Sequence, residues 1–464
     1  MLEQISRRES NVRGYVRLFP TVFDRAVGSE LWDTDGKRYI DFFCGAGTLN
    51  YGHNNPRAKE ALLRYIENDG VQHGLDTATR AKAAFLRAFE SLILKPRSMD
   101  YRVQFTGPTG TNAVEAALKV ARLSTGRSHV VAFTNAYHGH TLGSLAVTGN
   151  SFYQSEQFGG RTNVSHFPFD GYAPGVDSAD LLDRMLTDRS SGLPLPAAII
   201  LETVQGEGGV NVASMEWLKK IEQVCRKYDC LLIVDDIQVG NGRTGKFFSF
   251  EDSGIRPDIV CLSKSIGGGL PLSLVLIQPE VDVWKPGQHT GTFRGNNLAF
   301  VAAEALLPYW SDDELEIQTY CLSAYVEAKL DQIVRRHASL KFDRRGRGLI
   351  QGLDVREGSL ARSVIQQCFE NGLLIESSGN DDQVLKVMPA LTCEPELIES
   401  GLAILTDAID RVVERESAER VPAATAGVSG ATGAAGQDRL LIAPVGEVDV
   451  LAVPLGFAAP KVGS

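Results

Sequence analysis

Two apolar runs in this sequence end in charged residues that chemistry can use: 230–236 closes on Asp235 and Asp236, and 259–264 closes on Lys264. A carboxylate shielded from water can hold a pyridine nitrogen protonated, making the ring an electron sink, while a lysine amine condenses with an aldehyde to a Schiff base. Asp235 and Lys264 are therefore the pair that a pyridine-aldehyde cofactor needs. Ile237 is spaced to face such a ring, or simply to fill core, and Gln238 to offer its amide to a phenolic oxygen.

Thr109, Gly110 and Thr111 lead into 112–122, where Ala113, Ala116, Ala117, Val120 and Ala121 recur at helical spacing. Glycine lets a phosphate approach the backbone, and a helix N-terminus supplies unpaired N–H groups and a favourable dipole. Capping alone would also explain these residues. The motif Tyr137-His138-Gly139 follows a run ending at Phe133, which puts a ring where it can stack on a flat cofactor or settle into the core. The stretch 240–247 imitates a nucleotide P-loop, but Phe247 stands where a magnesium-binding hydroxyl belongs, and a turn-rich loop is expected there.

These residues need a scaffold. Short β-branched runs at 129–133, 197–202, 230–236, 259–264 and 272–277 alternate with longer amphipathic stretches, the pattern of an α/β protein. Met215–Tyr228 sets Trp217, Leu218, Ile221, Val224, Cys225 and Tyr228 on one helical face and turns Lys219, Lys220, Glu222 and Arg226 outward. In open α/β sheets ligands gather at the carboxyl ends of strands, where Glu202, Asp235 and Lys264 all fall. From 314 to 416 the pattern becomes helix, short strands and helix, around a glycine-rich turn at 345–348 and a strand at 372–377. A linker is expected over 422–436, whose Ala, Gly, Thr and Ser cannot bury enough surface to offset chain ordering, and 438–464 reads as a docked strand pair or a disordered end.

The 464 residues carry a formal net charge of -10, with 43% apolar and 22% charged residues, the balance of a globular enzyme. Lys and Arg are scattered, so no nucleic-acid partner is expected. Seven cysteines without C-x-x-C pairs point to a reducing, cytoplasmic setting, and neither a bound metal nor a membrane span is expected.

Taken in order, Thr109-Gly110-Thr111, Tyr137-His138-Gly139, Glu202 with Gln205-Gly206-Glu207, Asp235 to Gln238, Ser263-Lys264 and Gly291-Thr292-Phe293 resemble the cofactor site of class III aminotransferases. The resemblance covers roughly residues 5 to 418, and YIDFFCGAGTLNYGHNN at 39–55, QFTGPTGTNAVEAA at 104–117 and GTFRGNNLA at 291–299 are its distinctive stretches. It implies an α/β protein of fold type I, with a large mostly parallel sheet domain and a smaller α/β domain. The expected divisions are 1–50, joining the small domain; 51–310, binding pyridoxal 5′-phosphate; 311–418, the small domain; and 419–464, linker and tail.

The same resemblance implies roles. Lys264 would form the Schiff base, Asp235 would hold the pyridinium, Tyr137 and Ile237 would flank the ring, and Gln238 would reach its phenolic oxygen. Gly110 and Thr111 would bind phosphate in one subunit, and Thr292 would reach the phosphate of its neighbour, which implies a homodimer with shared active sites. Within the class it points to the branch that moves an amino group from L-glutamate to L-aspartate 4-semialdehyde, giving L-2,4-diaminobutyrate and 2-oxoglutarate; ornithine or 4-aminobutyrate chemistry and a silent cofactor-binding protein are the alternatives. Glu207 and Lys386 are the expected substrate-binding residues, and two departures bear on them. Relatives often have arginine at the positions of Lys386 and His140, and a lysine lacks the bidentate fork that suits a carboxylate. Lys386 would hold a substrate carboxylate with Glu207 as competitor, or else be a solvated lysine at a strand end.

Overall fold

The computed structural model describes residues 1–420, of which Met1–Ser417 form one compact unit. The expectations for 422–436 and 438–464 lie outside the described residues. In chain order the strands begin with β1 (Phe23–Val27), β2 (Glu30–Asp33) and β3 (Arg38–Asp41), an antiparallel meander. Next come β4 (Arg102–Phe105), β5 (Val130–Phe133), β6 (Val164–Phe167) and β7 (Ala198–Leu201), then a small hairpin of β8 (Val204–Gln205) and β9 (Asn211–Val212). After it follow β10 (Leu231–Asp235), β11 (Ile259–Leu262) and β12 (Leu274–Ile277).

Seven of these strands form the large sheet in the order β4-β12-β11-β10-β7-β5-β6. The pairs from β11 to β6 are all parallel, whereas β12 lies antiparallel to both of its neighbours. A parallel crossover takes a dozen or more residues, and the short link from Leu262 to Leu274 forces the reversal. The runs VVAF, AIIL, IVCL and LVLI are buried along their whole length because helices cover both faces. On one face the helix Gly110–Thr125 packs Ala113, Ala117 and Ala121 onto Ile233, Ile259 and Cys261; on the other, Leu232, Val234 and Leu262 meet the Trp217 and Ile221 stripe. Methyl-sized side chains let the first helix lie close, so its N-terminus reaches the sheet's carboxyl edge. The expected helix Met215–Tyr228 forms with Ser214 as cap and with Trp217, Leu218, Ile221, Val224 and Cys225 buried.

The later strands are β13 (Asp343–Arg347), β14 (Ile350–Asp354), β15 (Leu373–Leu374), β16 (Glu376–Ser378) and β17 (Val384–Val387). β15 joins β3, while β13-β14-β17-β16 make an antiparallel sheet. Here the sequence reading needs two corrections. Residues 345–347 extend as β13 and the reversal comes at Gly348, because Arg345 and Arg347 find partners in Asn211, Asp354, Thr203 and the Ser249 carbonyl that only the tertiary fold supplies. The helix Gly358–Glu370, between β14 and β15, was not expected. The stretch 240–247 is a run of turns, with Arg243 fully buried and donating to the carbonyls of Leu349 and Pro389. Among the described residues no helix is long and apolar enough to cross a membrane.

Candidate active site

Asp235 is the last residue of β10, and its pairing with Cys261 sets β11 so that Lys264 emerges just beyond the sheet edge beside it. Lys264 takes a left-handed backbone conformation, φ 53°, which is uncommon for a residue other than glycine. Ser263 supports that turn by donating its hydroxyl to the Leu272 carbonyl at 2.8 Å.

A cavity of about 340 Å³ opens over these two side chains. Gly110 and Thr111, at the N-terminus of their helix, border it, as do Tyr137, Ile237, Gln238 and Glu207. Thr292 and Lys386 do not. Thr292 is exposed and its carbonyl oxygen lies 2.9 Å from His73 Nε2. Lys386 stands behind Glu207, fully buried in the middle of β17 rather than solvated at a strand end.

The walls are organised by contacts that the sequence did not reveal. His138 Nδ1 lies 2.7 Å from Asp235 Oδ2, and Ile237 N–H donates to Asp235 Oδ1 at 3.2 Å. Burial alone would lower the histidine's pKa, but the Asp235 carboxylate outweighs it and the net shift is upward. Behind them Glu202 accepts the Tyr137 N–H at 3.0 Å, and its burial, only partly countered by His138, pushes its carboxyl up to about 8. The Tyr137 ring sits edge-on to His140 and Tyr153, with centroids 5.5 and 5.6 Å away.

Glu207 Oε1 accepts from Lys386 Nζ at 2.7 Å and from Gln238 Nε2 at 2.8 Å. Burial would raise this carboxyl, but Lys386 and then Lys264 hold it down to about 2. Lys386 also meets Glu376 Oε1 at 2.9 Å, and the two glutamates together raise its pKa against the desolvation that opposes them. Tyr15, from the N-terminal region, donates its hydroxyl to Glu376 Oε2 at 3.1 Å. Burial lowers the pKa of Lys264, with Glu207 offsetting part of the effect. Gln238 spends its amide protons on Glu207 and the Ala46 carbonyl, so contact with a phenolic oxygen would require giving one of them up.

The sequence reading left His138, Glu202, Glu376 and Tyr15 without roles. His138 adjoins Tyr137 and Glu202 ends a strand, so both carried a positional hint. Nothing in the sequence announced Glu376 or Tyr15, because their partners come from strand register and from a segment far away in the chain.

A buried aspartate, a lysine and a helix N-terminus bordering one cavity, at the carboxyl edge of a mostly parallel sheet, define the site of a fold type I pyridoxal-phosphate transferase. Residues 12–409 match the family Aminotransferase class-III, and the chain belongs to it. The chain is 60% identical over 411 residues to a diaminobutyrate–2-oxoglutarate transaminase of Wolinella succinogenes, a match covering 88% of this chain and 96% of that protein. It is 53% identical over 416 residues to the enzyme of the same name from Vibrio parahaemolyticus, covering 89% and 99%. Among solved structures it is similar to the ornithine aminotransferase of Toxoplasma gondii, with a TM-score of 0.78, 28% identity, and 89% and 95% of the two chains covered.

Pyridoxal 5′-phosphate is the cofactor of this family, and the residues fit it. A Cβ on Gly110 would come within 3.0 Å of Ile237 Cδ1, so the helix start and the ring wall approach as closely as glycine allows. Gln238 Oε1 is buried in the wall with no partner among the described residues.

Proposed function

We propose that this aminotransferase moves an amino group from L-glutamate to L-aspartate 4-semialdehyde, giving L-2,4-diaminobutyrate and 2-oxoglutarate. The observation that carries the reading is the meeting of Lys264 and Asp235 in one cavity, in a chain whose relatives at 51–60% identity bear the diaminobutyrate name. Pyridoxal phosphate, when bound, supplies the carbonyl that carries the amino group and the ring that accepts electrons.

Lys264 is the catalytic residue. Its burial-lowered pKa favours the neutral amine, which can form the covalent link to the cofactor and, once released by substrate, take and return the proton at the substrate carbon. Asp235, oriented by His138, would hold the proton on the ring nitrogen. Gly110 and Thr111 would receive the phosphate at the helix N-terminus, and Tyr137 and Ile237 would confine the ring. Glu207 would meet substrate directly, and Lys386 would take a substrate carboxylate when Glu207 yields it.

The likeness to an ornithine aminotransferase supports a second reading, a different terminal amine with the same cofactor site. A panel of amino acceptors with L-glutamate as donor separates the two, and no turnover with aspartate 4-semialdehyde would remove the first. We also propose a cytoplasmic homodimer with shared sites. Thr292 and Phe293 stand exposed, the latter at 67%, as an inter-subunit contact requires.

A further inference from the structure

Strand register sets Glu376 of β16 directly opposite Lys386 of β17, while the loop between β8 and β9 brings Glu207 to the same ammonium. Two carboxyl groups therefore share one buried cation. On Glu207 only Oε1 is engaged; Oε2 has no partner among the described residues, and Glu207 borders both the main cavity and a second one of about 310 Å³. Tyr15, Glu376 and Ser378 line that second cavity, and Ser378 Oγ is buried there without a partner among the described residues. Arg362 and Asp382 on its wall carry opposite charges and add no net charge to the two glutamates and their shared lysine.

We propose that Glu376, by taking a share of Lys386, leaves Glu207 with a free oxygen and negative charge to bind the second ammonium of a diamino acid. Glu376 is thus a positioning residue that sets specificity: two carboxyl groups await two cations, one from the protein and one from the substrate. Without Glu376, Glu207 would be the sole counter-ion of a buried lysine, and pulling it toward substrate would strand that charge. The inference rests on the proposed diamine chemistry.

The test compares L-2,4-diaminobutyrate with 4-aminobutanoate, the same carbon chain lacking the second ammonium, on wild-type and Glu376→Gln holoenzyme. Wild type should favour the diamine, and Glu376→Gln should reduce the ratio of the two kcat/KM values by about tenfold or more, the scale of one charge-assisted contact. Equal loss on both amines, an unchanged ratio, or a wild type with no preference for the diamine would overturn the proposal. If Glu376→Gln does not fold, Glu376→Asp should reduce the ratio by a smaller factor, and an unchanged ratio there is equally fatal. Should wild type ignore L-2,4-diaminobutyrate but accept L-ornithine, the proposed substrate fails, and the ratio of L-ornithine to 5-aminopentanoate tests Glu376 instead.

Discussion

His138 Nδ1 lies 2.7 Å from Asp235 Oδ2, and both side chains are closed off from solvent. The pair couples the strand β10 to the loop after β5, so the acid proposed to hold the ring nitrogen protonated is kept in one orientation. Asp235→Asn removes the charge that favours a protonated nitrogen and should slow both half-reactions by about a hundredfold or more, whereas His138→Phe, which removes only the orienting bond, should cost about tenfold to a hundredfold. Single-turnover absorbance changes of the bound cofactor measure both. Equal rates in wild type and Asp235→Asn would remove Asp235 from its role.

Lys264→Ala should abolish turnover while cofactor remains bound through its phosphate and ring contacts. Dialysis followed by cofactor quantification, beside a turnover assay, checks this. Activity near the wild-type level would sink the assignment of Lys264.

Lys386→Met leaves Glu207 and Glu376 facing each other without their cation. Breaking a buried pair in this way costs about 3–5 kcal/mol, so the variant should unfold at markedly lower denaturant concentration. Its kcat/KM for L-glutamate should also fall by about tenfold to a hundredfold if Lys386 receives a substrate carboxylate. A kinetic loss below about threefold, with folding verified, would reject the carboxylate role.

Mixing Thr292→Ala subunits with Lys264→Ala subunits tests composite sites. If Thr292 serves the partner's site, a heterodimer gathers both lesions in one site and leaves the other whole, so activity should partly return on subunit exchange. Heterodimers that form without regaining activity would place Thr292 in its own subunit's site.

Stability should fall with rising pH on account of Glu202. Its folded pKa, about 8, lies above the ordinary 4.5, so between those values the folded protein holds a proton that the unfolded chain has released. That contribution is fully present below about pH 4.5 and is lost as the pH climbs through about 8. Glu202→Gln still accepts the Tyr137 N–H but cannot ionise. Thermal melts should therefore show a flatter pH dependence between pH 5 and 8 than in wild type, and parallel curves would contradict the assignment.

By itself the sequence determined the central strands of the large sheet and the charged residues that end them. The β-branched runs AIIL and IVCL suit strands buried on both faces, the 3.6-residue apolar spacing of Met215–Tyr228 calls for a helix packed along one side, and Asp235 and Lys264 are tied to their strand ends by covalent connection. Tertiary structure decided what those residues touch. Lys386 reads as surface or substrate-facing until the β16–β17 register sets Glu376 opposite it, since a shift of one residue would turn the pair to opposite faces. His138 acquires its partner only when β5 and β10 share a sheet, and Gln238 fits only because Gly206 has no Cβ, which would lie 1.7 Å from Gln238 Oε1. Charged and polar side chains encode little about their partners because their energies depend on distance and burial, and both are set by segments distant in the chain.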